Sequence, residues 1–159
     1  PRDVENVEMG SLTLPRVLEP ALSLSSPREL IAKNNDDLNP PEWLFGAEPE
    51  HNWCYYFEKA DLTRQDKDWE KIANLGDKAF NIPYAPADAA EYLPFIEAYA
   101  RLGRFDDAQE LTKTAAEKNP VLRPMFCSLW QRMTKDGVFG KNSALLYEMQ
   151  DELVYCPLY

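Results

Sequence analysis

AAEYLPFIEAYARLGRFDDAQELTKTAAEKNPVL, residues 89–122, decides the fold. Apolar side chains return every three or four positions on both sides of Gly103: Tyr92, Phe95, Ile96, Tyr99 and Leu102 before it, Ala108, Leu111, Ala115 and Ala116 after it. That is the period of a helix burying one stripe. Gly103 stands where a helix ends in a left-handed residue, and Pro120 follows where a helix must stop. The stretch predicts two helices, Ala89–Leu102 and Asp106–Lys118, joined by a tight turn.

The same pattern continues outward. Trp53, Tyr56, Phe57, Ala60 and Leu62 predict a helix that stops around Asp66-Lys67-Asp68, and Trp69, Ile72, Ala73, Leu75, Ala79 and Phe80 predict another that ends before Pro83. Leu122–Met133 and Ser143–Val154 read as a fifth and a sixth, separated by the turn Asp136-Gly137-Val138-Phe139-Gly140. Six helices with short connections define an all-α, two-layer domain. The pairs are also self-similar. A shift of 36 lays Trp53 over Ala89, Tyr56 over Tyr92, Ala60 over Ile96, Trp69 over Phe105, Leu75 over Leu111 and Ala79 over Ala115. A further 34 sets Phe126, Trp130, Gly137 and Phe139 against Tyr92, Ile96, Gly103 and Phe105. Helix pairs at such a period are the mark of a stacked array.

On these residues the chain resembles the tetratricopeptide (TPR) family. The middle copy, residues 89–122, carries the pattern best: Tyr92 and Tyr99, the turn glycine Gly103, Phe105, the small crossing residues Ala108 and Ala115, and the closing Pro120. The first copy has Lys67 where the turn glycine belongs; the middle copy has Ile96 where a small residue is usual and Pro94 in its first turn; the third has lost the alanine pattern. The resemblance covers about residues 53–139 and implies a stack of about three antiparallel helix pairs. It implies a concave face lined by the first helix of each pair, which places Phe57, Asp61, Arg64, Gln65, Leu93, Glu97 and Arg101 as binding residues for a protein or peptide.

Residues 1–50 differ. They hold seven of the thirteen prolines, with ten acidic against four basic residues, and no sustained 3.6-residue period. They read as an irregular arm preceding a helical domain at 51–159. Near-alternating Val4, Val7, Met9, Leu12 and Leu14 hint at a short strand or hairpin, and Ser26-Pro27-Arg28-Glu29 opens a short helix near 27–33. Pro40-Pro41 and Pro49 predict extended backbone on either side of Trp43-Leu44-Phe45, three apolar residues expected to dock on the following domain. The stretch PEWLFGAEPEHNWCYYFEKADL, residues 41–62, is similar to the soluble C-terminal tails that follow membrane spans in bacterial glycosyltransferase-like proteins of uncharacterised function. That likeness implies upstream spans as a tether and an extracytoplasmic location, the cytoplasm being the alternative. A start at Pro1-Arg2-Asp3 fits a piece of a longer chain.

Charge narrows the partners. With 27 acidic against 17 basic side chains the formal charge is −10, which repels phosphate backbones and anionic membrane surfaces, so no nucleic acid is expected as a partner. No apolar run approaches the ~18 residues of a membrane span. Cys54, Cys127 and Cys156 are too few and too widely spaced for a disulfide framework; three reduced core thiols are the expectation, with one disulfide and one free thiol as the alternative.

Chemical signals are sparse. His51 and Cys54 form H-x-x-C, but a zinc site needs three or four ligands and the chain has one histidine, so neither a metal nor another cofactor is expected. A cysteine nucleophile would have only His51 as base and no group to orient it. Asp106-Asp107 suit a helix N-terminus better than a catalytic dyad. The aromatics Trp53, Tyr55, Tyr56 and Phe57 could stack on a sugar, yet they cover most of a helix circumference and suit a core. The reading is a non-catalytic domain for protein interaction or structural support. An accessory domain of a membrane glycosyltransferase and a carbohydrate- or small-molecule-binding module are the alternatives.

Overall fold

A computed structural model describes residues 42–47, 50–83 and 86–140. The expected strand near 4–14, the helix near 27–33 and the helix over Ser143–Val154 lie outside these residues. The chain divides into two units, Pro1–His51 and Asn52–Tyr159. In the first, Glu42–Phe45 forms a single helical turn closed by Gly46, whose N–H donates to the Glu42 carbonyl and whose φ is +80°. Trp43 and Leu44 on that turn are exposed.

The described part of the second unit is all-α, with no strand among the described residues. Helix α1 (Trp53–Arg64) starts under Asn52, whose side chain accepts from the Tyr55 N–H, and α2 (Trp69–Ala79) starts under Asp68, which accepts from the Lys71 N–H. Helix α3 spans Leu93–Arg101, α4 Phe105–Lys118 and α5 Arg123–Lys135. One boundary differs from the expected helix over Ala89–Leu102. Ala89–Tyr92 is a 3₁₀ turn, and the α-helix begins only at Leu93 with Pro94 in its first turn. Proline is accepted there because the missing N–H has no helical partner in any case. A second 3₁₀ turn, Pro120–Leu122, leads into α5.

Helices joined by the short links 65–68 and 102–104 pack on each other, which makes α1/α2 and α3/α4 antiparallel hairpins. Helix α3 touches all four others, and every residue from Leu93 to Ala100 is buried. The crossings use small residues: Ala60, Ala79, Ala108 and Ala115 have no exposed surface. Trp53, Phe80, Tyr92 and Phe95 fill the space between α1, α2 and α3 with ring centroids 5.3–6.0 Å apart. The Trp53 indole N–H donates to Glu91, so this buried ring leaves no polar atom unmet. Trp130 stacks on Phe139 at 5.3 Å and donates to the Thr112 hydroxyl, filling the far side.

The turn ending each first helix repeats in register. Lys67, Gly103 and Gly137 all have left-handed φ, at +59°, +77° and +77°, and each N–H donates to the carbonyl three residues back. In the second and third turns the next N–H also reaches back five residues, Arg104 to Tyr99 and Val138 to Met133. These positions are offset by the same 36 and 34 residues that align the sequence.

Two predictions follow from this backbone. Lys67 carries a Cβ penalty that glycine lacks, so Lys67→Gly raises stability in urea by about 1 kcal/mol. Gly76 is the opposite case: a Cβ there would lie 2.8 Å from Phe95 Cδ1 and 2.8 Å from the Tyr99 hydroxyl oxygen, both on buried rings of α3. Gly76→Ala therefore destabilises by on the order of 1–2 kcal/mol, because the overlap exceeds the ~1 kcal/mol gain in helix propensity; an equal or higher melting temperature would show that α2 and α3 can separate freely.

Candidate functional site

The densest polar constellation among the described residues is built around Glu97, at the centre of α3. Its carboxylate is fully buried. Arg64 of α1 donates through Nε to Oε2 at 2.7 Å and sets Nη2 2.6 Å from the same oxygen. Arg101, one turn on, donates through Nε to Oε1 at 2.9 Å. Arg132 of α5 donates through Nη1 to Oε1 at 2.9 Å and through Nη2 to Oε2 at 3.2 Å. Four charge-assisted hydrogen bonds use the acceptor capacity of one carboxylate.

The outer edge is tied as well. Arg101 Nη2 pairs with Asp136, and its guanidinium carbon lies 4.7 Å from the Trp69 ring centroid. Burial pushes the Glu97 carboxyl up, but the charge of Arg64, the hydrogen bonds and charge of Arg132 and the charge of Arg101 together outweigh it and hold the group at about 2. Glu97 is thus an anion at every pH at which the domain is expected to work.

Of the residues expected on the concave face, Arg64, Glu97 and Arg101 meet in this cluster. Leu93 is 2 % exposed, within the core. Phe57, Asp61 and Gln65 are half-buried on α1. Trp69, Arg132 and Asp136 also belong to the cluster; the sequence pattern marks Trp69 as a helix and repeat residue and Asp136 as a turn residue, and places none of the three on the face. The 34-residue shift lays Gln131 over Glu97, so the repeat register points to the wrong neighbour of Arg132.

A second constellation joins α2, α3 and α4. Arg104 holds Asp77 with two parallel hydrogen bonds of 2.9 Å, donates through Nε to Asp107 at 2.6 Å, and lies over the Tyr99 ring at 4.1 Å. The Tyr99 hydroxyl donates to Asp77 at 2.8 Å. The hydrogen bonds from Arg104 lower the Asp77 pKa, and burial followed by the Asp77 bond raises that of Tyr99. This network lines an open cleft of about 500 Å³ floored by Phe80 and Leu111. Its carboxylates are occupied by Arg104, which makes it a clasp between hairpins.

The remaining candidates stand apart. His51 and Cys54 are both exposed, and among the described residues no three His, Cys, Asp or Glu side chains gather as a metal site would need. Cys54 carries a free thiol and Cys127 is disulfide-bonded, which corrects the expectation of three reduced cysteines in favour of the alternative. Trp53 belongs to the core, while Tyr55 and Tyr56 meet edge-on, 5.3 Å apart, and are half-buried. Among the described residues no helix is long and apolar enough to cross a membrane. Comparison with protein-family models, with curated proteins and with solved structures returns no match to this chain.

The cluster makes stability pH-dependent in a stated direction. The Glu97 carboxyl titrates near 2 when folded, against an ordinary value of 4.5. Its stabilisation, roughly 3 kcal/mol, is fully present above pH 4.5 and is lost as pH falls through 2. Glu97→Gln takes a shared carboxylate away from three buried or half-buried guanidiniums and costs on the order of 3–5 kcal/mol at neutral pH. Urea unfolding at pH 7 and pH 3 checks this: the gap between wild type and variant narrows in acid.

Proposed function

We propose that this chain is a non-catalytic helical-repeat domain of TPR-like build, serving protein interaction or structural support. The observation that carries the reading is the ionic cluster. By joining α1, α3 and α5, the first helices of successive pairs, it turns three helices into one rigid face. A preformed face spares a ligand the cost of ordering its receptor. Half-buried Phe57, Asp61, Gln65, Trp69, Arg101 and Arg132 give it the mixture of apolar, aromatic and arginine groups that protein interfaces favour. The occupant we propose is a protein or peptide rather than a glycan, because the apolar bulk of Trp53 is spent in the core.

We further propose that the domain is the soluble tail of a larger bacterial membrane protein, on the extracytoplasmic side. The disulfide at Cys127 supports an oxidising compartment. The reading frame upstream of Pro1 tests the tether directly: membrane-spanning segments there support it, and their absence ends it.

Panning a displayed peptide library against the domain tests the interaction. Selected peptides are expected to lose at least tenfold in affinity with Phe57→Ala and to keep it with Glu110→Gln, on the opposite hairpin layer. Peptides indifferent to Phe57, or retention on a glycan array with none selected, would overturn the reading.

A further inference from the structure

The open cleft lined by α2, α3 and α4 holds groups that the Arg104 clasp does not use. Helix α2 and its C-cap contribute Asp77 and Phe80, and α4 contributes Asp107, Glu110 and Leu111. Three carboxylates against the one guanidinium of Arg104 give the lining a net charge of −2. Asp77 is engaged on both oxygens, by the Tyr99 hydroxyl and by two nitrogens of Arg104. Asp107 differs: it accepts from Arg104 through Oδ2 alone, and its side chain is 46 % exposed. Glu110 is exposed and makes no hydrogen bond or ion pair among the described residues. Residues 107 and 110 stand three apart on one helix, so their carboxylates are neighbours that repel each other. A cation placed between them relieves that repulsion.

We propose that this cleft docks a lysine side chain presented by a partner protein, with its ammonium between Asp107 and Glu110 and its methylene stem on Phe80 and Leu111. An ammonium is compact and offers three donors in different directions, which suits acceptors supplied by two separate carboxylates. A second guanidinium fits less well, because the Tyr99 ring it would stack on is already covered by Arg104, 4.1 Å away. The half-buried Phe80 and Leu111 give the stem the apolar contact that a long cationic side chain uses. A free diamine would leave its second charge unmet, since Asp77, the acid on the α2 side, is taken by Arg104. The free acceptors belong to α4, so the inference stands apart from the α1–α3–α5 face.

Titration of the whole ¹⁵N-labelled chain with N-acetyl-lysine methylamide, followed by NMR, tests the proposal. The amides of Phe80, Asp107, Glu110 and Leu111 are expected to shift and to saturate in the millimolar range, as one side-chain contact allows. Glu110→Gln, at an exposed position, is expected to weaken binding at least fivefold with the melting temperature unchanged. Glu117→Gln, an exposed acid of α4 outside the cleft, is expected to leave it unchanged. The norleucine analogue, which keeps the stem and lacks the charge, should not bind, and the arginine analogue should bind more weakly. Phe57→Ala is expected to have no effect, so this proposal and the interaction face fail separately. Absence of saturable shifts at the cleft, equal losses with Glu110→Gln and Glu117→Gln, or equal binding of the norleucine analogue would each overturn the proposal. Cadaverine binding tenfold more tightly than the lysine probe would overturn it too, by assigning the cleft to a free diamine.

Discussion

A buried negative charge organises the described part of this domain. Glu97 lies at the centre of the helix that touches all the others, where an ionised carboxylate is tolerated only if it is fully bonded. Arginines from three helices meet that demand, and each must reach one point in space. Such a requirement fixes register more sharply than apolar contact does. A helix can slide by a fraction of a turn and still bury leucines, whereas a slide of α1 or α5 past α3 would strand a charge. The cost of burying the ions offsets much of their attraction, so the cluster contributes order as much as net stability.

The second constraint is distance. Gly76, lying against Phe95 and Tyr99, and the fully buried alanines let helix axes approach closely enough for short polar groups to bridge between hairpins. The Asp77–Arg104–Tyr99 network depends on that approach. Small residues and ionic clasps are therefore coupled: a bulky side chain at a crossing would lengthen hydrogen bonds now at 2.8–2.9 Å.

Much of this was legible in the sequence, because periodicity and turn chemistry are local. The spacing of Tyr92, Ile96 and Tyr99, the glycines at 103 and 137 and the misfit lysine at 67 place the helices and the repeat. What the sequence did not yield has a common cause. Pro94 shifts a helix start through a 3₁₀ turn that apolar spacing does not register. Arg132 joins Glu97 through a tertiary contact that the repeat register misplaces by one residue, and Gly76 looks like an unfavourable helix residue until the ring opposite it is known. The bonded state of Cys127 is likewise non-local, since spacing does not say which thiols meet.

The charge balance bears on how an occupant of the α1–α3–α5 face would be recognised. The chain as a whole carries −10, yet the cluster sets three guanidiniums against the carboxylates of Glu97 and Asp136. Three cations against two anions nearly cancel, so this cluster by itself offers little long-range field to steer a charged partner from beyond a Debye length of ~10 Å. On the function proposed, recognition there would rest on contact instead: the planar edges of Arg101 and Arg132, the Trp69 ring under Arg101 and the half-buried Phe57. Such groups reward shape and discriminate through dissociation rather than encounter.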